Sequence, residues 1–299
     1  MLNNNNVVQN GQNNTLTYRF PTTAKFERSY VAVASVSMYY SWFNISSAAG
    51  NNILQYTWTV GGTSTTFNVG TGGTPGGPIP DGLYEVSTLN QLLQYTMIAN
   101  GHYLIDSATG QNVYFVELLV NDARYKVQVN TFAVPTSLPS GYTQPSGFAG
   151  YPTAVTSPAV FIPSGMGTIL GFSGGSNIPT NTGGTNFQAY SSFSTSTPNI
   201  QPNSSVLLSV SSVENPYASP TSVIYSITPS VAVGTIISDK PPQLLWNKLI
   251  PGSYSQITIT LLGTDLRPLQ IQDGAMTIIL AIAEEIEALG VMITRDKVN

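Results

Sequence analysis

Wherever a period can be read in this chain, apolar and polar side chains mostly alternate every second residue, the pattern of strands with one covered face. Tyr125, Val127 and Val129 alternate with Arg124, Lys126 and Gln128, and Ile257, Ile259 and Leu261 alternate with Gln256, Thr258 and Thr260. Val206, Leu208 and Val210, then Val223, Tyr225 and Ile227, repeat the period, as antiparallel sheets covered on one side require. Near the start, Val31 and Val33 hold one phase while Val36 and Met38 hold the other, and the slip predicts a bulge or bend around Ala34 and Ser35. Residues 53–60 and 113–120 add two more strands. Ile278 to Ile282 is apolar on both faces, a pattern that strand and buried helix share; it is read here as strand.

One helix is signalled over residues 88–99. Thr88 suits an N-cap with Gln91 three residues on, Leu89, Leu92, Leu93 and Met97 share a side, and Asn100-Gly101 supplies a left-handed stop. The middle of the chain is broken by Pro135, Pro139, Pro145, Pro152, Pro158, Pro163, Pro179, Pro198 and Pro202, through which long central strands cannot pass. A structureless loop of that length does not suit a compact domain, so the stretch reads as an insertion with short strands of its own at 167–172 and 189–195. The expected organisation is an N-terminal arm over 1–24, a first sandwich part over 25–131, an inserted domain over 132–203, a second sandwich part over 204–283 and a tail over 284–299. The arm is Asn-rich and too polar to pack, and Glu284, Glu285 and Glu287 suit the first turn of a short helix.

Composition sharpens this picture. Only 8% of the 299 residues are charged, against about 25% in an ordinary soluble domain, while 41% are hydrophobic and 10% aromatic. Disorder is therefore excluded as a description of the whole. Charge is absent from residues 29–80 and again from 127–213, so Ser, Thr, Asn, Gln, Gly and Pro must cover those surfaces. Uncharged polar surface enters an interface without the several kcal/mol that desolvating an ion costs, which favours contact with other subunits. A net charge of −4 argues against phosphate-backbone binding, so nucleic acid is not an expected partner. No run reaches the roughly 20 apolar residues of a membrane span. The first residues lack the basic and apolar regions of a signal peptide, so synthesis in the cytosol is expected and the sequons at Asn13, Asn44 and Asn203 are expected to stay unmodified.

Candidate chemistry is sparse. Cysteine is absent, which removes disulfides, thiolate metal sites and thiol nucleophiles. His102 is the single histidine, and its place between the helix stop and a strand is unlike a nucleophile elbow. Asp81 and Glu85 flank Ile79-Pro80-Asp81-Gly82, whose composition turn geometry explains without a glycosidase carboxylate pair. The glycine-rich run from Gly70 to Gly77 lacks the Lys-Ser/Thr and the helix of a phosphate loop. Tyr142, Tyr151 and Tyr190 suit packing better than sugar stacking. No catalytic, cofactor-binding or metal-binding residue is assigned, and no enzymatic activity is expected.

Several blocks in order resemble one family. Ile79-Pro80-Asp81-Gly82-Leu83-Tyr84, Leu89-Asn90 with Leu93-Gln94, and Asn100-Gly101-His102-Tyr103-Leu104 resemble the minor capsid, or penton, proteins of virophages, Polinton-like viruses and Maverick-type elements. Pro135 to Gly141, Phe161-Ile162-Pro163, Ile169 to Phe172, Ser205 to Leu208, Tyr217 to Pro220 and Val223 to Ser226 are similar in the same order, covering residues 28–283. The resemblance implies an all-β fold, a single jelly-roll β-sandwich with one short helix and an inserted small β-rich domain. It also implies a homopentamer at the fivefold vertices of an icosahedral virion, assembled in the infected host cell beside major capsid protein capsomers. It offers no catalytic residues or cofactor; whether a host-surface receptor is a further partner stays open. The alternative is a carbohydrate-binding receptor or fibre module, with a secreted glycosidase a distant third.

Overall fold

The computed structural model describes residues 7–9, 13–70, 76–201, 203–272 and 274–284, and contains two compact units, residues 1–42 with 203–299 and residues 43–202. The chain begins the first unit with β1 (Val7–Gln9), β2 (Thr15–Phe26) and β3 (Ser29–Tyr39). The second unit comprises β4 (Gln55–Val60), β5 (Thr63–Asn68), α1 (Val86–Ala99), β6 (Tyr103–Asp106), β7 (Asn112–Tyr114), β8 (Val116–Asn121), β9 (Lys126–Phe132), β10 (Tyr142–Thr143), β11 (Val160–Ile162), α2 (Ser164–Leu170), β12 (Ser176–Ile178) and β13 (Ala189–Phe193). The first unit is then completed by β14 (Val206–Val210), β15 (Val223–Ile227), β16 (Ile236–Asp239), β17 (Asn247–Lys248), β18 (Gly252–Leu262) and β19 (Thr277–Glu284). Named strand pairs are antiparallel throughout, and the fold is all-β and jelly-roll-like.

In the first unit one sheet has the order β1-β2-β18-β14-β15; in the other, β3 lies between β19 and the pair β16 and β17. The chain changes sheet from β2 to β3, from β15 to β16, from β17 to β18 and from β18 to β19, so strands from opposite ends of the sequence become neighbours. Val206, Leu208, Val210, Ile257, Ile259 and Leu261 are buried on the first sheet, and Val31, Val33, Val36, Met38 and Ile278 on the second. Each such side chain contributes about 1.5–3 kcal/mol through its burial. The Tyr225 hydroxyl on β15 donates to Asp239 Oδ2 on β16 at 2.7 Å, joining the sheets; burial first, and the carboxylate second, push its pKa up to about 12.

The slip of phase in β3 is a bulge. Ile279 lies opposite Ser35 and Leu280 opposite Val33, which leaves Ala34 as the extra residue. The bulge lets Val31 and Val33 share a buried face with Val36 and Met38. Ile278 to Ile282 is strand, in agreement with the sequence reading. Residues 15–24, expected in the arm, lie in β2, which is paired with β1 on one side and β18 on the other. Leu16 is its one buried apolar side chain, and half-buried Tyr18, Phe20 and Phe26 run in ring contact to Tyr254; such a strand, held by its backbone ladder, has little apolar alternation to read.

The second unit holds the sheets β12-β11-β4-β5, β13-β9-β8 and β10-β6-β7 around one apolar core. The expected boundary at 131/132 falls inside this unit, within β9. The core joins Tyr56, Trp58 and Phe115, upstream of that point, to Val160, Ile162 and Met166 beyond it, so the prolines mark loops of one unit and its division from the first unit falls after Trp42.

Five local expectations need correction. Residues 113–120 form two strands, β7 and β8, which belong to different sheets. In β15 the buried residues are Ile224 and Ile227 rather than Val223, Tyr225 and Ile227, because Tyr225 lies opposite Leu208 and Val223 opposite Ser209, which leaves Ile224 as the extra residue of a bulge. Helix α1 begins at Val86 with Glu85 in the capping position, so Thr88 lies in its first turn; Val86 is buried and extends the stripe of Leu89, Leu93 and Met97 by one turn. Residues 167–170 are helical in α2, where Met166, Ile169 and Leu170 are buried at helical spacing and a Cβ on Gly167 would strike the Phe172 carbonyl oxygen. Tyr125 is not in strand: it has φ +50°, is 75% exposed and ends a 3-10 turn over Asp122–Arg124, with the Arg124 guanidinium 4.5 Å from the Phe193 ring centre. Residues 1–6, 10–12, 71–75 and 285–299, with the expected arm tip, most of the glycine-rich loop and Glu285 and Glu287 of the tail, lie outside the described residues.

The stop of α1 yields a test. Gly101 and Gly110 both have positive φ, +66° and +71°, but a Cβ would strike the Gly147 carbonyl oxygen only at Gly101. Gly110→Ala should cost about 1 kcal/mol of unfolding free energy in urea titrations, and Gly101→Ala clearly more, about 2–3 kcal/mol. Equal costs would show that the close approach has no consequence.

Candidate functional site

His102 follows the helix stop directly, and α1, β4 and β5 bury it. Its Nδ1 shares a 2.8 Å hydrogen bond with the Tyr56 hydroxyl, its ring stacks on Trp58 at 4.6 Å and it meets the edge of Phe67 at 4.5 Å. It is 1% exposed, and burial pushes its pKa down to about 3. Burial also raises that of Tyr56. A neutral imidazole closed in by aromatic rings cannot reach a substrate from solvent. It fills the core and gives the Tyr56 hydroxyl its partner.

The two carboxylates near the turn hold separate stretches of backbone and side chain. Asp81 accepts from the backbone N–H of Ser47 at 2.7 Å and from its hydroxyl at 3.2 Å, and Glu85 accepts from the Ser87 hydroxyl at 3.4 Å. The described ends of the glycine-rich run are tight: a Cβ on Gly70 would meet the backbone of Gly77 and Pro78. Tyr142 lies 4.7 Å from Phe187, Tyr151 lies 4.7 Å from Phe148, and the Tyr190 hydroxyl donates to the Gly183 carbonyl. The structure therefore brings none of these residues together into a shared site. Among the described residues, no group of three or more His, Asp or Glu could hold a metal ion, and no helix is long and apolar enough to cross a membrane.

Sequence reasoning missed Asn44. Its Nδ2 donates to the carbonyls of Tyr84 and Ile200, both at 2.7 Å, and its Oδ1 accepts from the Tyr84 N–H at 2.9 Å. Asn51 supports it, donating to the Asn44 carbonyl and accepting from the Ser46 N–H, each at 2.8 Å. At 5% exposure, with both polar ends engaged, Asn44 has no room for a glycan and instead ties residue 44 to residue 200, the two ends of the second unit. The available signal was the set Asn44, Asn51 and Asn52 among Ile45, Ile53 and Leu54, amides in an apolar and ion-free context.

The second unit's surface is sparse in charge. Its 160 residues hold seven charged side chains, Asp81, Glu85, Asp106, Glu117, Asp122, Arg124 and Lys126. Tyr95 and Ile98 stand out from α1 at 59% and 41% exposure, and Leu119 and Val120 from edge strand β8. Another sheet edge, β5, presents exposed Thr63, Ser64, Thr65 and Thr66, with none of the lysines or prolines that keep edges apart. The first unit has an open groove of about 440 Å³ between Tyr30, Tyr217, Trp246 and Ile250, with Glu214 and Lys248 on its lining.

No protein-family model and no curated protein matches the chain. Among solved structures it is similar to the crystal structure of selenomethionine-labelled mavirus penton protein, with a TM-score of 0.39 and 8% identity over 93% of this chain and 96% of that one. A likeness at that score establishes neither family nor function.

Substitutions at two positions test the buried groups. Between pH 7 and 5 the imidazole is the side chain whose ordinary pKa, about 6.5, falls in the window. Because its folded pKa is depressed, the unfolded chain binds the extra proton; this contribution to stability is present above about pH 6.5 and is lost as pH falls toward 3. Unfolding free energy should drop by roughly 1–2 kcal/mol from pH 7 to 5 and stay nearly flat in His102→Phe; a flat wild-type profile would contradict the burial. Asn44→Ala should cost about 3 kcal/mol by orphaning buried backbone groups. Asn44→Asp, which aims a carboxylate at two carbonyls, should cost at least as much, whereas a loss under about 1 kcal/mol for both in thermal or urea unfolding would refute the clasp.

Proposed function

We propose that this chain is a structural virion protein, a penton subunit that forms homopentamers at the fivefold vertices of an icosahedral capsid, beside the major capsid capsomers. The observation that carries the reading is the scarcity of ions on exposed surface: apolar Tyr95, Ile98, Leu119 and Val120 and the hydroxyl-bearing edge β5 lie on a unit with seven charges. Such surface can be buried against a copy of itself with little desolvation cost. Subunits around a fivefold axis make head-to-tail contacts that close into a ring, and obligate rings bury upward of about 2,000 Å² per contact. The jelly-roll-like first unit and the ordered sequence blocks between residues 28 and 283 that resemble penton proteins support the same reading.

In this reading the chain catalyses nothing, since His102 is walled in, Asp81 is bonded to Ser47 and Glu85 to Ser87. For the carbohydrate-binding alternative, the tyrosines that the sequence offered for sugar stacking, Tyr142, Tyr151 and Tyr190, are packed or hydrogen-bonded within the unit, while exposed Tyr95 lies on the surface proposed here as a subunit contact.

Interfaces with few ion pairs are little screened by salt. Sedimentation of the purified chain should therefore give five times the 31.8 kDa subunit mass in dilute buffer and again in half-molar salt. Dissociation to monomers on adding salt would contradict the proposed nature of the contact.

A further inference from the structure

Two strands of the second unit turn a row of backbone groups out of their sheets. In β4 the Thr57 N–H donates to the Ala159 carbonyl at 2.8 Å, on the side of β11, so Tyr56 and Trp58 direct their backbone to β5, where Phe67 and Thr65 stand opposite. The alternate residues of β5, Ser64 and Thr66, therefore aim N–H and C=O away from the sheet. In β13 the Ser194 N–H donates to the Val127 carbonyl at 2.8 Å, and the Gln188 carbonyl accepts from the Ala133 N–H at 2.9 Å. By the same alternation Ala189, Ser191 and Phe193 face away from β9. Ser64, Thr66, Ala189 and Ser191 are exposed. Neither strand contains a charge or a proline to guard its edge, and each lies inside one of the charge-free stretches, 29–80 or 127–213.

An open strand edge specifies its occupant, because another strand is what satisfies N–H and C=O groups at every second residue. The other edges of this unit fit less well. The Leu118 N–H of β8 is taken by Asn90 Oδ1 at 2.9 Å, β12 has three residues and runs into Pro179, and β10 and β7 have two and three residues. Strands β5 and β13 match in length, with six and five residues. Pairing β5 with itself would end at a dimer, whereas two different edges join head to tail and can close a ring. Side-chain direction agrees. Ser64 and Thr66 stand opposite Thr59 and Thr57, and Ser191 opposite Asn130, on the faces turned from the core residues of β4 and β9. Directly opposed residues of an antiparallel pair project to one side, so joining these edges keeps both cores on the same side of a continuous sheet. We propose that β5 of each subunit adds antiparallel to β13 of the next, with Ser64 opposite the neighbour's Ser191 and Thr66 opposite the neighbour's Ala189. The inference rests on the ring proposed above and names its contact.

Cysteine pairs read this register directly, because the chain has no cysteine of its own. Residues that exchange both backbone bonds have Cα atoms about 5.5 Å apart, within the range of about 4.4–6.8 Å that a disulfide spans. Thr66→Cys with Ala189→Cys should give, on mild oxidation and non-reducing electrophoresis, a ladder in steps of the 31.8 kDa subunit that ends at five. Thr65→Cys with Ala189→Cys, which moves one thiol to the opposite face, should give no ladder. The unaltered chain supplies a second reading: hydrogen exchange of the peptides covering β5 and β13 should slow by about tenfold or more when dilute subunits assemble. A ladder from the shifted pair alone, or dimers from Thr66→Cys by itself, would overturn the register. Sedimentation of the same samples reads subunit number separately. A pentamer that neither cross-links nor slows exchange would overturn this pairing and leave the ring standing, whereas monomers at every concentration would overturn both.

Discussion

The first unit exists only if the two ends of the sequence find each other. Strand β2 is flanked by β18 and β3 by β19, pairings that bridge well over two hundred residues, and neither sheet closes without them. Such long-range ladders are costly to nucleate, because the intervening chain must be gathered before they repay it. What lies between folds with its own ends together: within the second unit the Asn44 amide holds the Tyr84 and Ile200 carbonyls and so ties residue 44 to residue 200. An amide suits that position better than an ion pair, since a buried ion without full compensation would cost several kcal/mol.

The same avoidance of ions runs through the surface and the core. His102 is kept neutral among Tyr56, Trp58 and Phe67, and the amides of Asn44 and Asn51 satisfy backbone groups at no cost in charge. Outside, hydroxyls and scattered apolar side chains take the place that lysine and glutamate occupy on most soluble domains. A free monomer with open, ungated edges would be prone to edge pairing. The proposed closed pentamer would resolve that liability, which is why it and the surface belong to one account.

Much of the fold was legible because burial follows a period of two in strands such as β14 and the second half of β18. Val206, Leu208 and Val210 are all buried, and the phase slip in β3 located the Ala34 bulge to within a residue. Legibility failed where backbone geometry rather than side-chain pattern decides the structure. In β2 the ladder does the holding, Gly167 of α2 owes its identity to a carbonyl 5 residues on, and Tyr125 occupies a left-handed turn although its neighbours alternate like a strand. The extent of the second unit was hidden for a related reason: prolines report loops, whereas the shared core of Trp58, Phe115 and Ile162 exists only in three dimensions. Asn44 was read only as a sequon; the amides Asn44, Asn51 and Asn52 in an apolar context signal a buried polar group, but hydrogen bonds to residues 84 and 200 leave no mark on local sequence.

Class averages of the purified full-length chain by negative-stain electron microscopy test the central claim most directly. The account predicts closed rings with fivefold symmetry formed by this chain alone. A field of single subunits, or particles of threefold symmetry, would contradict it.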